Sequence, residues 1–300
     1  MSKLEQQVAI VTGASSGFGK LTAQTLAANG IRVFAGMRHV AGRNAGVAQV
    51  LEAQPNISVV ELDVTDEPMV HSAIETIKQQ TERIDILVNN AGVYGMGLIE
   101  QFTNDEIQRQ FDVNFYGVLN ATRQVLPIMR RQQSGLVINI SSGLGRITMP
   151  FNGVYGATKH ALEAISQAWR HELTMVGVDV VGVDVVVIEP GVFPTTGAAA
   201  TSRHYHAANQ QIAAEYGELA VSFPAIMSNS FQQMIDNGYA ADPQIIADAV
   251  WKVIKTPAEQ RPFRVVADPA TTGKLEKMNA LSDDLQQDLL AGIGLTALYK

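Results

Sequence analysis

Seven short apolar runs, rich in β-branched residues, recur along the chain and are separated by longer amphipathic stretches. Runs of this length and composition read as strands buried on both faces, and the intervals are long enough for helices to cross back over the sheet, which makes the strands parallel. The runs are Val8 to Val11, Arg32 to Ala35, Ser58 to Leu62, Ile84 to Val88, Gly135 to Ile140, Val180 to Ile188 and Arg264 to Val266. Helices are predicted over Gly19 to Asn29, Glu67 to Gln80, Asn104 to Arg131, Val154 to Met175 and Pro243 to Ile254. The expected fold class is therefore α/β, a doubly wound seven-stranded parallel sheet in one domain over residues 1–268. In such a sheet ligands gather at the carboxyl ends of the strands, so each strand-to-helix turn is a candidate site.

Three stretches fall outside this rhythm. Residues 192–241 carry no predicted strand but many aromatic and Met side chains, and a connection that long is expected to be a lid over the substrate. The string VGVDV occurs twice, at Val176 to Val180 and Val181 to Val185, and reads as a local insertion before the sixth strand. Residues 269–300 form a C-terminal extension without an assigned role.

Composition narrows the function. Hydrophobic residues make up 46% and charged residues 17% of the 300, enough for a large buried sheet. A net charge of -7 argues against nucleic acid as a partner, because phosphate contacts need a basic face. Cysteine is absent, which removes disulfides and thiolate chemistry. His204 and His206 stand near one another in a polar stretch and read as solvated surface, so no metal is expected. No stretch matches the ~20 apolar residues of a membrane span, and no basic-then-apolar leader precedes the first strand; the expected address is cytoplasmic.

The first strand runs straight into TGASSGFG, with Gly13, Gly17 and Gly19 at a turn that opens a helix. Backbone N–H groups at a helix N-terminus suit an anionic pyrophosphate, and glycines let the chain approach it closely. The GxxxGxG spacing alone is also compatible with a tight structural turn. At the end of the second strand an acid would bind a ribose 2′-hydroxyl, whereas a basic residue accommodates a 2′-phosphate. Met37 stands in that place and Arg38 follows, which favours NADP(H), with NAD(H) as the alternative. Asp63, after the third strand, is placed either to accept from the adenine amino group or, like Asp66, to cap the next helix.

NNAG follows the fourth strand, INISSG contains the fifth strand's end, and Tyr155 and Lys159 lie four residues apart on the next predicted helix. That spacing puts both on one face. A phenol of pKa ~10 is a poor proton carrier at neutral pH, but a neighbouring ammonium stabilises phenolate. Ser142, at a strand end, is placed to hold a substrate oxygen where charge develops.

In order along the chain, TGASSGFG, NNAG, DVNFYG, NISSG, YGATK and EPGVFPT resemble the motifs of the short-chain dehydrogenase/reductase superfamily, in its single-domain branch, over roughly the first 195 residues and again near the last strand. The resemblance implies a Rossmann-like fold and an active-site tetrad of Asn114, Ser142, Tyr155 and Lys159, with Asn114 helping to hold a water that relays protons to Lys159. It implies cofactor contacts from Gly13, Ser15, Ser16, Gly17, Phe18, Gly19, Arg38, Asp63, Val64, Asn90, Ala91, Gly92, Tyr155, Lys159, Pro190, Gly191, Val192 and Thr195. Similar proteins pair helices across subunits, so a homodimer or homotetramer is expected.

The substrate pocket is expected from Tyr94, Met96, Ser142, Leu144, Met149, Phe151, Tyr155 and Phe193, with Val93, Gly143, Met227 and Phe231 nearby. Mostly apolar walls suit a hydrophobic ketone, aldehyde or alcohol as the small-molecule partner. The expected activity is NADP(H)-dependent interconversion of carbonyl and alcohol; the competing readings are an NAD-linked alcohol dehydrogenase of the same fold and a non-catalytic dinucleotide sensor.

Overall fold

The computed structural model describes residues 7–175, 182–191, 193, 204–238, 242–268 and 272–299. All seven predicted runs form strands: β1 (Val8–Thr12), β2 (Arg32–Met37), β3 (Ile57–Glu61), β4 (Ile86–Asn89), β6 (Ser134–Ile140), β7 (Gly182–Pro190) and β9 (Arg264–Ala267). They make one sheet in the order β3-β2-β1-β4-β6-β7-β9, parallel at every pairing. The order runs outward from β1 to β3 on one side and from β4 to β9 on the other. The switch point thus lies between β1 and β4, where Val11 is paired with Val88.

Helices cover both faces, as continuous apolar strands require. Strand residues such as Val11, Val33 and Val88 pack on one side with Ala23 and Leu26 of α1 (Gly17–Ala28), Leu51 of α2 (Ala45–Glu52) and Val250 of α9 (Gln244–Lys255). Ile10, Leu87 and Val137 pack on the other with α3 (Glu67–Thr81), α5 (Gly117–Gln132) and Leu173 of α6 (Gly153–Met175). A buried polar chain crosses the second layer: the Asn89 amide donates to Thr122 and Asn139, and Asn139 donates to Ser166.

Besides α2, where no helix was expected, four features differ from the sequence reading. The predicted helix over Asn104 to Arg131 is divided into α4 (Asn104–Phe111), a π-helical turn (Asp112–Tyr116) and α5. Within the stretch read as strandless, β8 (His204–His206) pairs in parallel with β5 (Tyr94–Met96), followed by α7 (Gln210–Glu215) and α8 (Glu218–Asp236). Both strands of that pair have only three residues, too few to show a period of two. Residues 182–185 of the second VGVDV copy form the first half of β7 itself; residues 176–181, including the predicted strand start, lie outside the described residues. Most of the C-terminal extension is one long helix, α10 (Thr272–Gly292). Among the described residues no helix is long and apolar enough to cross a membrane.

Candidate active site

The turn after β1 is shaped by its glycines. Gly13 and Gly17 have φ of 66° and 55°, the left-handed region that glycine enters without strain. A Cβ on Gly19 would lie 2.3 Å from the Asn90 amide and 2.6 Å from the Gly13 carbonyl, so the start of α1 rests directly on the turn. The Asn90 amide donates to the Thr12 carbonyl (2.9 Å), and Thr12 Oγ1 accepts from the N–H groups of Asn90 and Ala91 (3.0 Å each). These bonds lash the NNAG turn to the glycine turn. At the N-cap of α1, Ser16 makes no side-chain capping bond and the first turn has no acid. The positive end of the helix therefore meets the cavity with neither a cap bond from Ser16 nor an acid in its first turn.

Two cavities lie along the carboxyl ends of the strands. One, of about 290 Å³, is bounded by Gly13, Ser15, Ser16, Arg38, Arg43, Asp63, Val64, Ala91 and Gly92. The other, of about 270 Å³, is bounded by Gly17, Phe18, Asn90, Tyr94, Ser142, Tyr155, Lys159, Pro190 and Gly191. They share Ser16, Gly92 and Val93, so they form one trough across the switch point.

At the first end, Arg38 pairs with Asp63 (3.4 Å). Partial burial raises the Asp63 pKa, but hydrogen bonds from Thr65 and the Arg38 charge outweigh it and hold the carboxyl below its ordinary value. Asp66, not Asp63, caps α3 by accepting from Met69 N (2.9 Å). Three residues absent from the sequence reading complete this end. Glu61 accepts from His39 N (2.6 Å) and Val40 N (2.7 Å), Asn44 donates to the Arg38 carbonyl, and Arg43 adds a second guanidinium to the wall. The only sequence signal for Arg43 was its place five residues after Arg38.

At the second end, α6 presents Tyr155 and Lys159 one turn apart. Burial pushes the Tyr155 phenol up to about 12, against a hydrogen bond with Ser142 that favours ionisation. Ser142 is itself oriented, its Oγ accepting from Leu144 N (3.1 Å). Lys159 Nζ donates to the Ile140 carbonyl (2.8 Å) and lies 5.8 Å from the centre of the Tyr155 ring. Burial pushes this ammonium down to about 8, with Glu163 opposing. Tyr94 meets Tyr155 edge-on, ring centres 4.9 Å apart, and its hydroxyl donates to Asn152, another residue the sequence reading lacked.

Asn114 sits in the π-helical turn, fully buried. Its amide accepts from Val93 N (2.8 Å) and donates to the Val93 carbonyl (2.9 Å) and to Thr158 Oγ1 (3.1 Å), which in turn donates to the Tyr155 carbonyl. Its link to Lys159 thus runs through the preceding residue. Of the expected substrate wall, Ser142, Tyr94 and Tyr155 meet in the trough, and Phe193 packs edge-on against Phe18. Met96 and Phe151 instead line a small separate hollow beneath α8, where Phe151 stacks on Phe223, and Met149 is exposed. Leu144 follows Ser142 without lining the trough. Val192, Thr195 and the Phe231 side chain lie outside the described residues.

The family described as short chain dehydrogenase matches residues 7–206, a span that holds both ends of the trough. The chain belongs to that family. This short-chain dehydrogenase is an oxidoreductase. It is 38% identical to the 3-ketodihydrosphingosine reductase of Bacteroides thetaiotaomicron over 64% of this chain and 66% of that protein. It is 36% identical to the NADPH-dependent 3-dehydrocapnine reductase of Ornithobacterium rhinotracheale over 62% and 65% of the two chains. A crystal structure of a short-chain dehydrogenase from Streptomyces avermitilis superposes with a TM-score of 0.73 at 28% identity, covering 96% of this chain and 97% of that one.

Proposed function

We propose that this short-chain dehydrogenase uses NADP(H) to interconvert a hydrophobic ketone or aldehyde and its alcohol, with Tyr155 giving or taking the proton. The observation that carries the reading is that Ser142, Tyr155 and Lys159 meet on one wall of the trough, with the buried Lys159 ammonium 5.8 Å from the centre of the phenol ring. The residues fit a dinucleotide. The N-terminus of α1 suits a pyrophosphate, Arg38 and Arg43 suit a 2′-phosphate, and Asp63 suits the adenosine end. The hydride added to the carbonyl carbon would come from the reduced nicotinamide of the bound cofactor.

Tyr155, with its pKa near 12, keeps its proton at neutral pH and so is an acid in the reducing direction. The proton passes to the substrate oxygen as that oxygen becomes an alkoxide, while Ser142 donates a hydrogen bond to the same oxygen. Lys159 then lies beside the tyrosinate that remains and offsets its charge. Oxidation of the alcohol is the reverse. Two relatives are named as reductases, one of them NADPH-dependent, which supports reduction with NADPH.

The test is consumption of NADPH and of NADH with a panel of hydrophobic ketones, for wild type and Tyr155→Phe. We expect turnover with NADPH and a loss of roughly 10²- to 10⁴-fold in the variant with NADPH binding retained. A preference for NADH overturns the cofactor assignment. Dinucleotide binding without turnover on any carbonyl or alcohol turns the reading toward a sensor.

A further inference from the structure

α10 is held in one orientation by buried polar contacts. Asn279 donates to Glu189 (2.6 Å) and accepts from Arg146 (2.9 Å), and Asp283 pairs with Arg264 (2.9 Å). Leu275 and Leu290 are buried on the same side. The opposite face must then point away from the body of the protein. That face carries Leu281, Leu285 and Leu289, one per turn, at 61%, 62% and 60% exposure. Single exposed leucines are ordinary, but three on consecutive turns form a continuous apolar strip, and such strips mark contact surfaces.

The strip has polar ends of opposite sign. Lys274 and Lys277 lie exposed on this face toward the N-terminal end and Asp288 lies exposed toward the C-terminal end, with Asp284 exposed midway along the strip. We propose that this face of α10 is the seam on which two copies of the chain pair, helix against helix and antiparallel. A two-fold axis midway between Leu281 and Leu285 sets each against the other across the seam, and the same register brings Lys277 alongside the partner's Asp288, twice by symmetry. A parallel pairing would set like charge on like charge. An anionic membrane surface would be repelled by the acidic half, so the charge pattern selects a second copy over lipid.

The full-length protein is measured by sedimentation equilibrium as wild type, Lys277→Glu, Asp288→Lys and the double variant. All positions are exposed, and circular dichroism checks that each variant folds. We expect the wild type to self-associate and each single variant to weaken this association by on the order of tenfold, since both symmetric ion pairs become repulsive. The double variant, and an equimolar mixture of the two single variants, should recover it, because both restore opposite charges across the seam. Where other faces also assemble, the single variants lower the assembly by one step. Unchanged mass in the single variants, or no recovery in the double variant, overturns the proposal. So does a monomeric wild type that instead sediments with phosphatidylcholine vesicles.

Discussion

Arg38 shows how much of a side chain's purpose is decided by its neighbours. Glu61 holds the next two backbone N–H groups, His39 takes a left-handed φ of 54°, and Asn44 fixes the Arg38 carbonyl, so the guanidinium is carried on a braced loop. Its pairing with Asp63 is 41% exposed on the Arg side. A pair that wet adds little stability and is readily exchanged for a better anion. A phosphate offers such an exchange, with charge-assisted bonds from both Arg38 and Arg43. Arg38→Ala is accordingly expected to weaken NADPH binding by roughly 10- to 100-fold, the equivalent of one charge-assisted hydrogen bond, and to leave NADH binding nearly unchanged. Arg43→Ala should act in the same direction. Fluorescence titration with each reduced dinucleotide checks this, and equal losses for both would show that Arg38 does not read the 2′-phosphate.

At the scale of elements, the π-helical turn between α4 and α5 places one amide where it makes three hydrogen bonds, two to Val93 and one to Thr158. Replacing Asn114 by Ala leaves the buried N–H of Val93 without its acceptor and the Val93 carbonyl without its donor. Unmade bonds of this kind cost about 1–3 kcal/mol, so urea unfolding should show Asn114→Ala destabilised by about 2 kcal/mol; a change under about 0.5 kcal/mol would mean that the turn is held by other contacts. The sequence reading had one unbroken helix here, because apolar periodicity continues through residues 104–131 and does not register one amide reaching sideways. The seven strands of the main sheet were legible for the opposite reason, each being a short apolar run, and all but the edge strands β3 and β9 being buried on both faces. α10 was not, since leucines stand on both its inner and outer sides and blur any single stripe. The site divides the same way. Ser142, Tyr155 and Lys159 stand in motifs at a strand end and on the helix that follows. Glu61 and Asn152, by contrast, act through folding proximity alone, Glu61 bonding to N–H groups 21 and 22 positions earlier.

Across the whole molecule, the far edge of the sheet is joined to the helix of Tyr155 through charge. Glu163 of α6, Glu189 of β7, Arg264 of β9 and Arg146 after β6 form one buried cluster, which the partly exposed Asp283 of α10 joins through Arg264. Glu163 also faces Lys159, which ties the cluster to the reactive end of the trough. Taking one carboxylate out of water beside another favours binding a proton, and Glu189 is where this is felt. Burial first and then the nearby Glu163 push its carboxyl up to about 7, against the Asn279 hydrogen bond and the two arginines. In the unfolded chain the same carboxyl titrates near 4.5. Between these values the folded state holds a proton that the unfolded chain has released, so this group's favourable contribution is complete below pH 4.5 and is lost as pH rises through about 7. Glu189→Gln, which keeps an oxygen for Asn279, removes that slope. Thermal unfolding at pH 5 and pH 8 should therefore show the variant gaining on the wild type at the higher pH, and an identical gap at both would mean that Glu189 is ionised throughout.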